Sequence, residues 1–99
     1  MIALALAVLG IPAAAQTGVI TGHVTDVATK QAISLAQVTV VGTTLRAITS
    51  QSGEYRIANV APGTVQVQTK YIGYKTLTQS VQVAAGGTAT LDFAITAAA

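Results

Sequence analysis

The sequence predicts an all-β fold, a small antiparallel β-sandwich of about seven strands, and three observations carry it. Apolar and polar residues alternate with period two through most of the chain from Val19 to Ile95. Turn signals such as Ser50-Gln51-Ser52-Gly53, Pro62-Gly63 and Gly86-Gly87 recur roughly every ten residues. The same stretch is rich in Val, Ile, Thr and Tyr, which fit a pleated, half-buried surface. One solvated face per strand implies antiparallel sheets, and two such sheets stack their apolar faces into one core.

Each element follows from its alternation. Val19 to Asp26 places Ile20, Gly22 and Val24 on one face and Thr21, His23 and Thr25 on the other. Thr29 to Leu35 has room for one helical turn at most. Val38 and Val40 form one apolar face, and Leu45, Ala47 and Thr49 oppose Arg46 and Ile48. After the turn at Gly53, Tyr55 and Ile57 point inward. Beyond Pro62-Gly63, Val65 and Val67 face in while Gln66 and Gln68 face out. Leu77, Val81 and Val83 continue the pattern, and Leu91, Phe93 and Ile95 form the last strand. The expected core is Val24, Val38, Val40, Tyr55, Val65, Val67, Leu91 and Phe93.

Before the alternating region, Ile2 to Leu9 is a short apolar run broken by Gly10 and Pro12. Ala13-Ala14-Ala15 then offers small residues at the positions a signal peptidase reads, with Gln16 next. The run falls short of the ~20 apolar residues of a membrane span. Residues 1–15 are therefore expected to be a signal peptide, 16–95 the sandwich domain and 96–99 an Ala-rich tail. No Lys or Arg precedes the apolar run, so either the start lies upstream of Met1 or the basic region is missing.

Chemistry is sparse. The 99 residues hold no cysteine, which excludes disulfides and thiolate metal sites. The net charge of +2 comes from five dispersed cations, Lys30, Arg46, Arg56, Lys70 and Lys75, a weak footprint for nucleic acid. His23 is the only histidine, and Asp26, three positions on, falls on the opposite face of a strand. That separation denies a base its orienting acid. Asp26, Glu54 and Asp92 are far apart in sequence and give no paired-acid or metal pattern. Tyr71 and Tyr74 differ by an odd number, which a regular strand would split, although Gly73 marks a place for a bulge. Tyr74 is expected to pack with its hydroxyl bonded to a loop. An isopeptide crosslink would need a buried Lys beside an Asn or Asp, and the sequence offers only Asn59 in a turn and Lys30 in a loop. The expectation is no enzyme, no cofactor and no metal.

Five segments together resemble a known family. Gly18-Val-Ile-Thr-Gly-His-Val-Thr-Asp26 resembles the opening of the carboxypeptidase-regulatory-like domain, a transthyretin-like sandwich. Ala32 to Gly42, Thr49-Ser-Gln-Ser-Gly-Glu-Tyr55, Val60-Ala-Pro-Gly63 with Val65 and Val67, and Tyr71-Ile-Gly-Tyr74 follow in that family's order. Ser50 stands where the family usually has Asp, and Ile33 to Ala36 lacks its usual Pro and Gly. With an export signal directly before it, the chain most resembles the N-terminal extension of TonB-dependent outer-membrane receptors, in which a plug and barrel follow. The resemblance implies a non-catalytic accessory domain exported to the periplasm or outer membrane. It would be the front of a receptor, a truncated product or a stand-alone relative. Its partner would be a periplasmic protein segment or the receptor's own plug. The expected contact residues are Ser50, Gln51, Ser52, Gly53, Tyr71 and Tyr74. The alternatives are a secreted carbohydrate- or surface-binding sandwich and a regulatory domain attached to a peptidase.

Overall fold

The computed structural model describes residues 16–98, so the expected signal peptide lies outside the described residues. Eight strands follow one another: β1 (Gly18–Asp26), β2 (Gln37–Val40), β3 (Arg46–Ile48), β4 (Glu54–Val60), β5 (Gly63–Lys70), β6 (Leu77–Val83), β7 (Thr88–Thr90) and β8 (Phe93–Ile95). They form two four-stranded sheets. The first has the order β4-β1-β7, with β8 also paired to β1; the second has the order β3-β2-β5-β6. The expected all-β sandwich is thus the observed fold. The segment from Thr29 to Leu35 forms no helix, and Ala32 makes an isolated bridge to Thr25.

Two features differ from the expected antiparallel arrangement of about seven strands. First, β1 pairs with β7 and β8 in parallel. The cause is the crossing between sheets. The end of β6 lies over the start of β1, where a Cβ on Gly18 would fall 2.3 Å from Val83 Cγ1. The turn at Ala84–Gly87 is tied to β1 by Val19 N–H donating to the Gly87 carbonyl. The chain reverses there, and so returns beside β1 running the same way. Second, the strand expected through Leu91 to Ile95 is interrupted at Leu91 and Asp92. Leu91 N–H donates to the Thr21 carbonyl, but the next ladder position is taken by a side chain: His23 N–H donates to Asp92 Oδ1 at 2.9 Å. A Cβ on Gly22 would stand 1.9 Å from the Leu91 carbonyl oxygen, so the interruption can pass over β1 only at a glycine.

The core fills the space between the sheets. Val24, Val38, Val40, Tyr55, Val67 and Phe93 are buried as expected. Val65 and Leu91 are only partly buried and pack against this cluster. Ile20, Ile57, Val60, Val83 and Ile95 complete it, together with Ile33 and Ala36 from the loop after β1. That loop is drawn inward by Thr49. Its buried hydroxyl donates to the Ile33 carbonyl at 2.7 Å and accepts from Ala36 N–H at 2.9 Å. Two backbone groups of a buried, non-strand segment are thereby satisfied, as buried polar groups must be. Thr69, on β5, is equally buried, yet its hydroxyl has no hydrogen-bond partner.

Candidate functional site

The ladder registers gather three loops at one end of the sandwich. β1, β3, β5 and β8 finish there, and β2, β4 and β6 begin there. The loops are 27–36, 49–53 and 71–76, joined by the segment after β8. Both expected contact loops therefore lie at the same end.

The first is a tight turn. Gly53 N–H donates to the Ser50 carbonyl, and Ser50 N–H to the Glu54 carbonyl. Ser50 Oγ lies 3.1 Å from Ser52 Oγ and accepts from Glu54 N–H at 3.3 Å. Ser50, Gln51 and Ser52 are exposed, whereas Gly53 is buried. Gly53 has φ 79° and its carbonyl accepts from Val24 N–H. A Cβ there would lie 2.8 Å from the Val24 carbonyl oxygen. Three of these four residues present side chains to solvent, and the fourth anchors the turn.

The second loop brings Tyr71 and Tyr74 together, despite their odd spacing. Gly73, at φ 88°, reverses the chain, and Tyr74 N–H donates to the Tyr71 carbonyl. The two rings lie 5.7 Å apart at 47°. Tyr74 donates its hydroxyl to Asp26 Oδ2 at 2.6 Å, so its partner is the last residue of β1 and not the expected loop. Asp26 Oδ1 accepts from Ala28 and Thr29 N–H at 2.8 and 3.1 Å. The Tyr74 hydroxyl first, and then the two N–H groups, hold the Asp26 carboxyl below the usual carboxylate range. The same bond pushes the Tyr74 phenol up. The segment after β8 is fastened to this loop: Lys75 N–H donates to the Thr96 carbonyl and Ala98 N–H to the Gly73 carbonyl.

Two grooves open beside these loops. One, of about 580 Å³, is lined by Leu35, Gln37, Ile48, Lys70, Tyr71, Ile72 and Thr76. Its rim holds large apolar side chains left in solvent: Ile72 is 89% exposed, Leu35 71% and Ile48 53%. The other, of about 630 Å³, runs from Ile48 and Ser50 across β4 and β1 to Thr90 and Asp92. Ile48 borders both.

The second groove contains an arrangement that the sequence did not reveal. His23 and Glu54 are cross-strand partners in the β1–β4 ladder, and the β7–β8 interruption delivers Asp92 to the other side of the ring. His23 Nε2 lies 3.2 Å from Glu54 Oε2, and Nδ1 lies 3.6 Å from Asp92 Oδ1. Two of the three acids that look scattered along the chain, Glu54 and Asp92, thus meet at the histidine. All three side chains are more than half exposed, so solvent screens the contact and its energetic weight is small. Among the described residues, no group of three His, Asp or Glu side chains could hold a metal ion. Tyr55 lies beneath this cluster. Its phenol, pushed up by burial and then by the charge of Asp92, donates to the Leu91 carbonyl. Lys30 and Asn59 are both exposed, unlike the buried pair an isopeptide crosslink requires.

Comparison with known proteins adds the fold's relatives. A complex of type II cohesin with an X-dockerin module from Acetivibrio cellulolyticus matches with a TM-score of 0.67 at 24% identity, over 81% of this chain and 58% of that one. A minor pilin of Streptococcus agalactiae matches with a TM-score of 0.63 at 14% identity, over 85% of this chain and 46% of that one. A putative carbohydrate-binding protein from Bacteroides uniformis matches with a TM-score of 0.59 at 21% identity, over 79% of this chain and 40% of that one. The chain thus spans between two fifths and three fifths of these solved chains, and at such identities the likeness is one of fold. The comparison with curated proteins gives no match. The family model of the carboxypeptidase regulatory-like domain matches residues 19–96, from the first strand to just past the last, and the chain belongs to that family.

Proposed function

We propose that this domain is a non-catalytic docking module of a TonB-dependent outer-membrane receptor, exported to the periplasm, where it holds a protein segment. The observation that carries the docking role is the loop end. Leu35, Ile48 and Ile72 stand exposed around one groove, next to the tyrosine pair of the Tyr71-Ile-Gly-Tyr74 loop. Solvent-exposed apolar side chains gathered at one place favour a protein contact. The receptor context rests on the export-signal pattern before the domain and on the likeness of the Tyr71 to Tyr74 loop to that of receptor N-terminal extensions. A binding role for a carbohydrate is the second reading. It is favoured by the hydroxyls and charged groups of Thr21, His23, Glu54, Thr90 and Asp92 in the larger groove.

The test is a titration followed by backbone NMR. A periplasmic TonB C-terminal domain, or a receptor plug, is expected to shift resonances of residues 50–53 and 71–74. Silence toward both at millimolar concentration, with a response to an oligosaccharide at Thr21, His23 and Thr90, would replace this reading with the second.

A further inference from the structure

Edge strand β3 presents unused backbone groups beside an apolar surface flanked by cations. Val40 N–H bonds to the Leu45 carbonyl, and Thr49 N–H to the Ala36 carbonyl. Antiparallel pairs alternate between hydrogen-bonded and non-hydrogen-bonded. The Val38–Ala47 pair is therefore hydrogen-bonded, and the pairs Thr39–Arg46 and Gln37–Ile48 are not. The N–H and C=O groups of Arg46 and Ile48 consequently point away from β2, to the edge where the second sheet ends. Among the described residues these four groups have no backbone partner. Such an edge is a template for another strand.

The side chains on that strand and around it state what the added strand should carry. Arg46 and Ile48 are both exposed and, two positions apart, share one face. The cross-strand row from Ile48 passes through Gln37 to Lys70. Leu35 and Ile72 stand beside Ile48 in the same groove. Leu35 is held there at φ 63°, in the left-handed region that a leucine rarely adopts.

Charge decides the rest. Each of the three side-chain carboxylates has a partner within the chain: Asp26 has Tyr74 and two backbone N–H groups, and Glu54 and Asp92, both more than half exposed, have His23. Among the described residues, none of the five Lys and Arg side chains has an ion-pair partner. Of the two grooves that Ile48 borders, the one with Leu35 and Ile72 contains Lys70 and no acid, while the other holds Arg56 together with Glu54 and Asp92.

We propose that the free edge of β3 captures an extended acidic segment of another protein as a fifth strand of the second sheet. An acidic side chain of that segment lies opposite Arg46, and an apolar one, two positions along, packs on Ile48. The proposal rests on the docking reading above and names its partner's chemistry. Backbone bonds supply most of the attachment, and the alternate side chains select the partner.

The test uses the whole chain and a nine-residue peptide of Thr, Glu and Val, with Glu and Val two positions apart on one face. Expected are saturable shifts of the Arg46 and Ile48 amides and slowed hydrogen exchange at both. Arg46→Glu is expected to weaken binding about tenfold, since an opposite-charge cross-strand pair becomes a like-charge one. Ile48→Thr keeps the strand's character while removing the apolar contact, and is expected to weaken binding several-fold. The same peptide with Lys in place of Glu should bind worse to the unaltered protein and better to Arg46→Glu. The proposal is overturned if the acidic peptide leaves Arg46 and Ile48 unmoved, or if Arg46→Glu binds it equally. It is also overturned if anionic phosphatidylglycerol vesicles or a single-stranded oligonucleotide moves these amides and the peptide does not. A plug that still shifts residues 71–74 in those cases leaves the docking reading standing while the edge proposal falls.

Discussion

Two buried threonines on inward-facing positions make a paired test of how this core is held. Thr49 and Thr69 are 2% and 0% exposed, and valine has nearly the same shape as threonine. Thr49→Val leaves the Ile33 carbonyl and the Ala36 N–H without their shared partner. Each orphaned buried group costs about 1–3 kcal/mol, so with some local relaxation the loss is about 2–4 kcal/mol. Domains of this size have only about 5–10 kcal/mol of stability in total. Thr69→Val removes a buried hydroxyl that has no partner to lose. The release of that desolvation penalty is worth about 1 kcal/mol in the stabilising direction. Urea unfolding followed by circular dichroism separates the two. With a slope of about 1 kcal/mol per molar urea, the midpoint should fall by about 2–4 M for Thr49→Val and rise by about 1 M for Thr69→Val. Hydrogen exchange at Leu35 and Ala36 should accelerate only in the first variant. Two midpoints falling by similar amounts would mean that the Thr69 hydroxyl is bonded, and the contrast would be refuted.

Other outcomes can be checked on the same material. Phe93, 1% exposed and 6.2 Å from the Tyr55 ring, should cost about 3–5 kcal/mol as Phe93→Ala in the same unfolding assay; under 1 kcal/mol would place β8 out of register. Gly22→Ala forces a Cβ against the Leu91 backbone, and should speed hydrogen exchange at Leu91 and Phe93 far more than at β5 and β6. The depressed Asp26 carboxyl contributes stability above the ordinary carboxylate pKa, lost as pH falls through its folded value. The stability gap between the protein and Asp26→Asn should therefore be full at neutral pH and close below about pH 4, measured by urea midpoints across pH. His23→Ala should leave the urea midpoint nearly unchanged, because its contacts are exposed, and chelator should not lower the melting temperature.

The strands were legible because period-two alternation is a local property, and a buried face imposes it on every strand it uses. Tyr55, Val67 and Phe93 follow it without exception. Val65 and Leu91 obey the same alternation yet are only partly buried. Val65 is near the outer end of its strand pair, at the Pro62-Gly63 side, and Leu91 sits at the interruption between β7 and β8. Alternation says which face a side chain takes; how deeply it is covered depends on what lies across from it. Ile33 and Ala36 show the converse. They belong to no strand, and become core because Thr49, thirteen to sixteen positions away, satisfies their backbone.

The site was legible in part, for the same reason. The turn at Ser50–Gly53 and the reversal at Gly73 are written in glycines, whereas the odd spacing of Tyr71 and Tyr74 would split them on a regular strand, and their rings meet only because the chain bends at Gly73. The meeting of His23 with Glu54 and Asp92 has no local signature. It needs the β1–β4 register and a parallel return strand, both of which are long-range. The parallel return is itself the consequence of one reversal after β6, and the broken ladder that admits Asp92 depends on Gly22 lying under Leu91. In this fold Asp26 joins the end of β1 to the Tyr74 loop, while Glu54 and Asp92 flank His23 on the exposed face of the first sheet. The edge that carries Arg46 and Ile48, two positions apart on one exposed face, lies beside the groove of Leu35 and Ile72. Arg46 and Lys70 on one face of the second sheet give a charge-poor domain a preference among partners, which its net charge of +2 alone would not.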